Sequence, residues 1–369
     1  MEAHGPVIAA DGSEFVTCSC GLRCGSLYFH ALHSEEQLAG PAHDHATAWP
    51  APHLATVPRA LWPQPGVIAR NTHDLPATEY TTARLAPGTE LESLRAALRI
   101  VPTLGRDAGA DIGCAMVAFG ARPMTALSAP HPEDLVAFPV KLAGDNGAEL
   151  LPAGRSDLLL FVKSTTAEAA AASTAAFLAA AGATLEAVET TVGFLNDGRD
   201  LSGAIDGTKN PDQSLRTVVD QGTIGPRDYP DGDHLGGSFV FCSKFAHRMA
   251  TFYAMPETEQ AGVFGRDLTK EQVAKGSDSR VENPKVGVDV QGSHVYRAWG
   301  EMYRQSMAFR EQPSAAEGVP REAGEAPEEG LLFIAFARKI KELEDALNRM
   351  CGNEDGQCKY YEFEVNRSK

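Results

Sequence analysis

The chain has 369 residues, of which 43% are hydrophobic and 22% charged, the balance of an ordinary globular protein able to bury one large core or two smaller ones. Acidic residues number 49 against 33 basic, a formal charge of −16, which excludes nucleic acid and an anionic membrane surface as natural partners. No apolar run reaches the ~18–20 residues needed to cross a bilayer. The acidic start MEAHGPVIAADGSEF lacks the basic region and apolar core of a secretory signal, and seven cysteines, an odd number, do not make a disulfide scaffold. The expected setting is the cytoplasm or another reducing compartment inside the cell.

Residues 1–64 read as an accessory, poorly structured extension. The first 66 residues hold six of the eleven histidines and a run of prolines at 50, 52, 58, 63 and 65. Cys18, Cys20 and Cys24 are followed by His30 and His33, but Cys-x-Cys-x3-Cys is not the paired spacing of a zinc site, and plain thiols are expected. From there the pattern becomes regular, with a short strand expected at Val67–Ala69. Leu91, Leu94 and Leu98 mark one face of a helix over 91–100. Cys114–Phe119 and Asp157–Lys163 are apolar runs of strand length. Ala167–Ala181, nearly all alanine, is a helix between Ser164-Thr165-Thr166 and Gly182. Val188, Thr190, Val192 and Phe194 alternate as a strand does.

The second half repeats this rhythm. Phe239, Phe241 and Phe245 sit at even spacing after Gly236-Gly237, as in a strand. A helix is expected over 257–264 after Pro256, and a buried strand over 331–337. Ile340, Leu343, Leu347 and Met350 then line an amphipathic helix that stops at Gly352. Residues 312–330, rich in Pro, Gly and Glu, form a solvated loop. The expected class is α+β, built from two related halves over 65–197 and 198–352, followed by a tail from 353 to 369.

Two places could carry chemistry. FLNDGRDLSGAIDGTKNP, residues 194–211, runs from a strand into a turn with three glycines and three aspartates, and Asp206 lies between Gly203 and Gly207. Glycines let a bulky group approach the backbone closely, although Asp-Gly turns are often only turns whose aspartates bond neighbouring amides. The other place is Ser293-His294-Val295, with Arg304 ten residues on in MYRQSM. On its residues alone, His294 is no better marked than His234 or His247, and Arg304 could equally serve a structural ion pair.

As a set, these pieces resemble the dye-decolourising peroxidase family of haem enzymes. The resemblance runs from about Pro65 to Gly352. It is carried by GRDLSGAIDGTKNP (198–211), GVFGRDL (262–268), SHV (293–295), MYRQSM (302–307) and GLLFIAFARKIKELEDALNRM (330–350), in the family's order. The sequence departs from the family at Ala204, where Phe is usual, and after Arg304, where Ala308-Phe309-Arg310 stands.

The resemblance implies two ferredoxin-like halves, each an antiparallel sheet with helices on its outer side. It places one haem b per chain in the C-terminal half. His294 would be the iron ligand, Asp206 and Arg304 the catalytic pair on the open side, and Gly207 and Ser306 further residues of the haem pocket. Hydrogen peroxide and a phenolic or dye reductant would be the substrates, with Arg304 mattering more than Asp206. A homo-oligomer is compatible with it. Trp299, Tyr296 and Tyr303 are the aromatic residues through which a bulky reductant could deliver electrons. The competing expectation is a haem carrier, or a protein that releases iron from haem, with little turnover.

Overall fold

In the computed structural model, the described residues are 7–8, 14–16, 33–34, 65–68, 75–88, 91–105, 113–126, 134–135, 142–143, 149–151, 156–204, 215–229, 234–264, 293–311, 328–352 and 364–366. Three short antiparallel strands come first: β1 (Val7–Ile8), β2 (Glu14–Val16) and β3 (His33–Ser34). The cysteine segment 18–24 lies outside the described residues. A helical turn follows, α1 (Pro65–Ile68), where a strand was expected. Pro65 accounts for the difference, since its fixed φ suits the first helical position and its missing N–H is not needed there.

The next elements are β4 (Ala77–Leu85), α2 (Leu91–Ile100), β5 (Cys114–Phe119), α3 (Ala121–Ala126), the small pair β6 (Leu142–Ala143) and β7 (Glu149–Leu151), β8 (Leu158–Ser164), α4 (Ala167–Ala181) and β9 (Leu185–Phe194). After them come α5 (Leu215–Gly222), β10 (Phe239–His247), α6 (Met249–Ala254), α7 (Glu257–Phe264), α8 (His294–Arg297), β11 (Tyr303–Arg304), β12 (Met307–Glu311), β13 (Glu328–Ala337), α9 (Ile340–Met350) and β14 (Glu364–Asn366).

One long antiparallel sheet runs β14-β10-β13-β12-β9-β4-β8-β5, with β11 also paired to β13. Its two ends repeat one plan. In β9-β4-β8-β5 the strands stand in chain order 4-1-3-2, and in β14-β10-β13-β12 they do so again. Each half is thus a ferredoxin-like unit, as expected, although the second takes its fourth strand, β14, from beyond residue 352, where the tail was expected to begin. They join edge to edge where β9 pairs β12, Phe194 opposite Ala308 and Gly193 opposite Phe309. Gly193 is needed at this seam, because a Cβ there would lie 2.9 Å from the Met307 Cβ.

Successive strand residues point to opposite faces, so the sheet has two distinct cores. On the outer face α2, α4 and α9 bury Leu94, Leu98, Phe177, Leu343 and Ala346 against Val117, Leu160, Phe239 and Ala335. On the inner face, side chains of both halves meet, Tyr80, Leu159 and Phe161 with Tyr303, Phe309, Leu332, Ile334 and Phe336. The helices form where the pattern places them. Thr166 caps α4, its hydroxyl accepting from the Ala169 amide at 3.1 Å, and Gly182 ends it at φ +56°. β9 alternates as expected, but the face carrying Val188 and Val192 stays 43% and 46% exposed. Among the described residues no helix is long and apolar enough to cross a membrane.

Candidate functional site

β9 delivers the chain into the glycine-rich turn. Here Asp200 has a structural role. Its Oδ1 accepts from the Ser202 amide at 2.8 Å, its amide donates to the Ala204 carbonyl at 2.8 Å, and its carbonyl accepts from Gly203 at 2.9 Å. Gly203 takes φ +86°, a conformation that side chains disfavour. The other Asp200 oxygen lies 3.7 Å from Nδ1 of His247, whose side chain is only 1% exposed. His247 thus stands beside the turn. Ala204 is itself buried, and Tyr253 ties the turn to α6 by donating to the Leu201 carbonyl at 2.7 Å. Asp206 and Gly207 lie outside the described residues.

His294 opens α8. Ser293, fully buried, caps this turn, its hydroxyl accepting from the Tyr296 amide. The half-buried imidazole stands edge-on to Phe264 of α7, ring centroids 6.2 Å apart. A clasp that the sequence does not announce fastens the turn to α9. Arg297 donates from Nη1 to the Arg349 carbonyl at 2.7 Å. Arg349 donates in return from Nε to the Arg297 carbonyl at 3.2 Å, and also to the Trp299 carbonyl. Ala298 packs with Phe245, Leu347, Met350, Leu331 and Phe333, on the outer face.

Register places Arg304. Tyr303 is opposite Phe336 and Arg304 opposite Ala335, and the same register resumes at Met307 opposite Leu332. Arg304, Ser306 and Ala308 therefore point outward with Ala335 and Leu331, while Tyr303, Gln305, Met307 and Phe309 point inward. Phe241 of β10 is also opposite Ala335, and Ser243 opposite Phe333. The outer face of the second half thus presents the Arg304 guanidinium, the hydroxyls of Ser243 and Ser306, the four rings of Phe239, Phe241, Phe245 and Phe333, and small residues, on the side where α9 holds α8 and its imidazole. Phe241, Leu331, Phe333, Arg304 and Ser306 all remain half-buried there.

That donor set is chemically suited to a largely apolar metal cofactor: an imidazole can ligate a metal ion, and a guanidinium can stabilise an anion. Tyr303 departs from expectation. It is completely buried on the inner face against Phe336, so it does not link the outer face with the surface. Tyr296 and Trp299 are half-buried.

Comparison with known proteins gives these likenesses. Residues 197–363 match the family model of the C-terminal region of Dyp-type peroxidases. A dye-decolorizing peroxidase of Mycolicibacterium paratuberculosis is 28% identical over 228 residues, covering 60% of this chain and 57% of that protein. One of Mycobacterium tuberculosis is 31% identical over 157 residues, covering 41% and 44%. The chain spans about half the length of the curated relatives it matches. Among solved structures, the encapsulated DyP-type peroxidase of Mycobacterium smegmatis aligns with a TM-score of 0.66 at 23% identity, over 84% of this chain and 94% of that one. A variant of DypB from Rhodococcus jostii, in complex with haem, aligns with a TM-score of 0.62 at 23% identity, over 80% and 91%. The likeness to these structures is one of fold.

Proposed function

We propose, on the premise that residues 197–363 belong to the Dyp-type peroxidase family, that this chain is a haem peroxidase that reduces hydrogen peroxide and oxidises a phenolic or dye substrate. The carrying observation is the register of β11, which sets Arg304 and Ser306 on the sheet face toward which α9 holds the His294 turn. One haem b per chain would supply the redox chemistry that side chains lack. His294 would hold its iron through one imidazole nitrogen, with Gly207 allowing close approach of the ring.

Peroxide must also shift a proton from one of its oxygens to the other. The carboxylate of Asp206 serves as the acceptor and donor of that proton. With the electrons for cleavage of the O–O bond supplied by the haem, the guanidinium of Arg304 would stabilise the negative charge left on the departing oxygen. The Ser306 hydroxyl, two residues along on the same face, orients water or peroxide beside the guanidinium. Arg304 carries more of the rate than Asp206, because a guanidinium keeps its charge at every working pH. Bulky reductants would deliver electrons through Tyr296 or Trp299.

The test is peroxide consumption by the haem-loaded chain with a phenolic reductant. Arg304→Leu should keep its haem and slow the peroxide step by about 10²–10³-fold, and Asp206→Asn should slow it less. A wild-type chain that takes up haem yet consumes no peroxide would overturn the reading in favour of a carrier.

A further inference from the structure

Behind Arg304 and Ser306, on the inner face, a polar cluster is enclosed in apolar core. Lys163 of β8 has no exposed surface. Its Nζ donates to the Gly66 carbonyl at 3.0 Å and to Oε1 of Gln305, and it lies 4.6 Å from the centre of the Phe161 ring. Gln305, 3% exposed, is engaged at each of its four polar atoms. Nε2 donates to the Val67 carbonyl, Oε1 accepts from Lys163, the backbone amide donates to the Ile334 carbonyl at 3.0 Å, and the backbone carbonyl accepts from the Tyr80 hydroxyl at 3.1 Å.

Placing an amine and an amide in this core is costly unless both are bonded, and an apolar pair would fill the same space. What the polar pair adds is geometry. Three of its anchors, Tyr80 on β4, Lys163 on β8 and Val67 in α1, belong to the first half, whereas Gln305 lies between the two outward-pointing residues of the second. Fixing residue 305 on both its backbone and its side chain fixes the direction in which residues 304 and 306 leave the opposite face.

We infer that Lys163, Gln305 and Tyr80 form a positioning device, by which the first half aims Arg304 and Ser306 across the outer face of the second. The functional side of this inference rests on the peroxidase reading; the mechanical coupling does not. None of the three touches substrate, and their action passes through the backbone at 304–306.

Two measurements on the whole chain test it. The first needs no haem: hydrogen exchange in Lys163→Met, which leaves the Gln305 oxygen and the Gly66 carbonyl short of a donor. Exchange over residues 303–309 should rise about tenfold, more than over β5, which pairs with β8 directly. No rise at 303–309, or an equal rise in β5, overturns the coupling. Gln305→Leu serves as a second variant should Lys163→Met not fold, with the same expected rise and the same overturning result.

The second measurement is fluoride affinity of the ferric, haem-loaded protein, a small anion on the open side serving as probe of the guanidinium. It should weaken about tenfold in both variants, with haem uptake unchanged, and recover in Lys163→Arg. Unchanged fluoride affinity overturns the positioning role. A wild-type chain that takes up no haem sinks the peroxidase reading instead, and the exchange experiment still decides the coupling.

Discussion

Replacing Arg349 by methionine removes the guanidinium that holds the His294 turn against α9 and keeps most of the apolar stem. The lost groups are donors to the carbonyls of Arg297, at 3.2 Å, and of Trp299. A hydrogen bond to a charged group contributes about 1.5–3 kcal/mol. Arg349 is half-buried, so the lower end applies to each, and two bonds give ~3 kcal/mol for release of the turn from α9. At 1.4 kcal/mol per decade, local opening becomes about a hundredfold more frequent. The reporters are the amides of Arg297 and Ala298, bonded to the carbonyls of Ser293 at 3.1 Å and His294 at 2.8 Å. Their hydrogen exchange in Arg349→Met should quicken by about two orders of magnitude, while exchange in α4, on the other half, stays as it was. Release of haem from the loaded protein should quicken as well. Unchanged exchange at 297 and 298 would refute the clasp as the element that holds this turn.

Phe177→Ala should cost about 3–5 kcal/mol in urea denaturation, because this ring is completely enclosed between α4 and the outer face; a loss below about 1 kcal/mol would mean that the site collapses around the gap. Gly330→Ala should abolish the β10–β13 ladder and folding with it, since a Cβ would fall 1.9 Å from the Phe245 carbonyl, and a folded variant with unchanged circular dichroism would contradict that close approach. Burial pushes the Cys242 thiol up to about 12 from an ordinary 9.0. The folded chain therefore keeps a proton that the unfolded chain gives up above about pH 9, and the stability tied to this group falls as pH rises from about 9 to 12. Cys242→Val should flatten that part of the stability curve, and in the wild type at pH 8 this thiol should react with a disulfide reagent far more slowly than in the unfolded chain.

The elements that sequence displays best are those whose burial is one-sided. α9 shows its face through Leu343, Leu347 and Met350, and α4 through its caps, because helix period and terminus chemistry are local properties. β4, ATEYTTARL, gives no such signal. It lies in the middle of the sheet with Thr78, Glu79 and Thr81 buried, and polar residues in a core are specified by partners far away in the chain. In β9 the alternation was legible but not which face is covered, since coverage depends on how the two halves join. The site divides in the same way. His294 and Arg304 stand out only through likeness to a family, and the structure then sets them on elements that share the outer face. Gln305 is invisible in sequence, because its side-chain partners lie 142 and 238 residues away. Lys163 leaves a trace, a charge at the end of the apolar run LLLFV.

The most direct measurement is an optical titration of the purified chain with haem, wild type beside His294→Ala. The wild type should take up one equivalent with a sharp Soret band, and one equivalent of peroxide should shift that band within seconds. His294→Ala should lose the band or bind haem far more weakly. An identical spectrum and affinity in His294→Ala would contradict ligation by this histidine, and a wild type that stays colourless would contradict the cofactor itself.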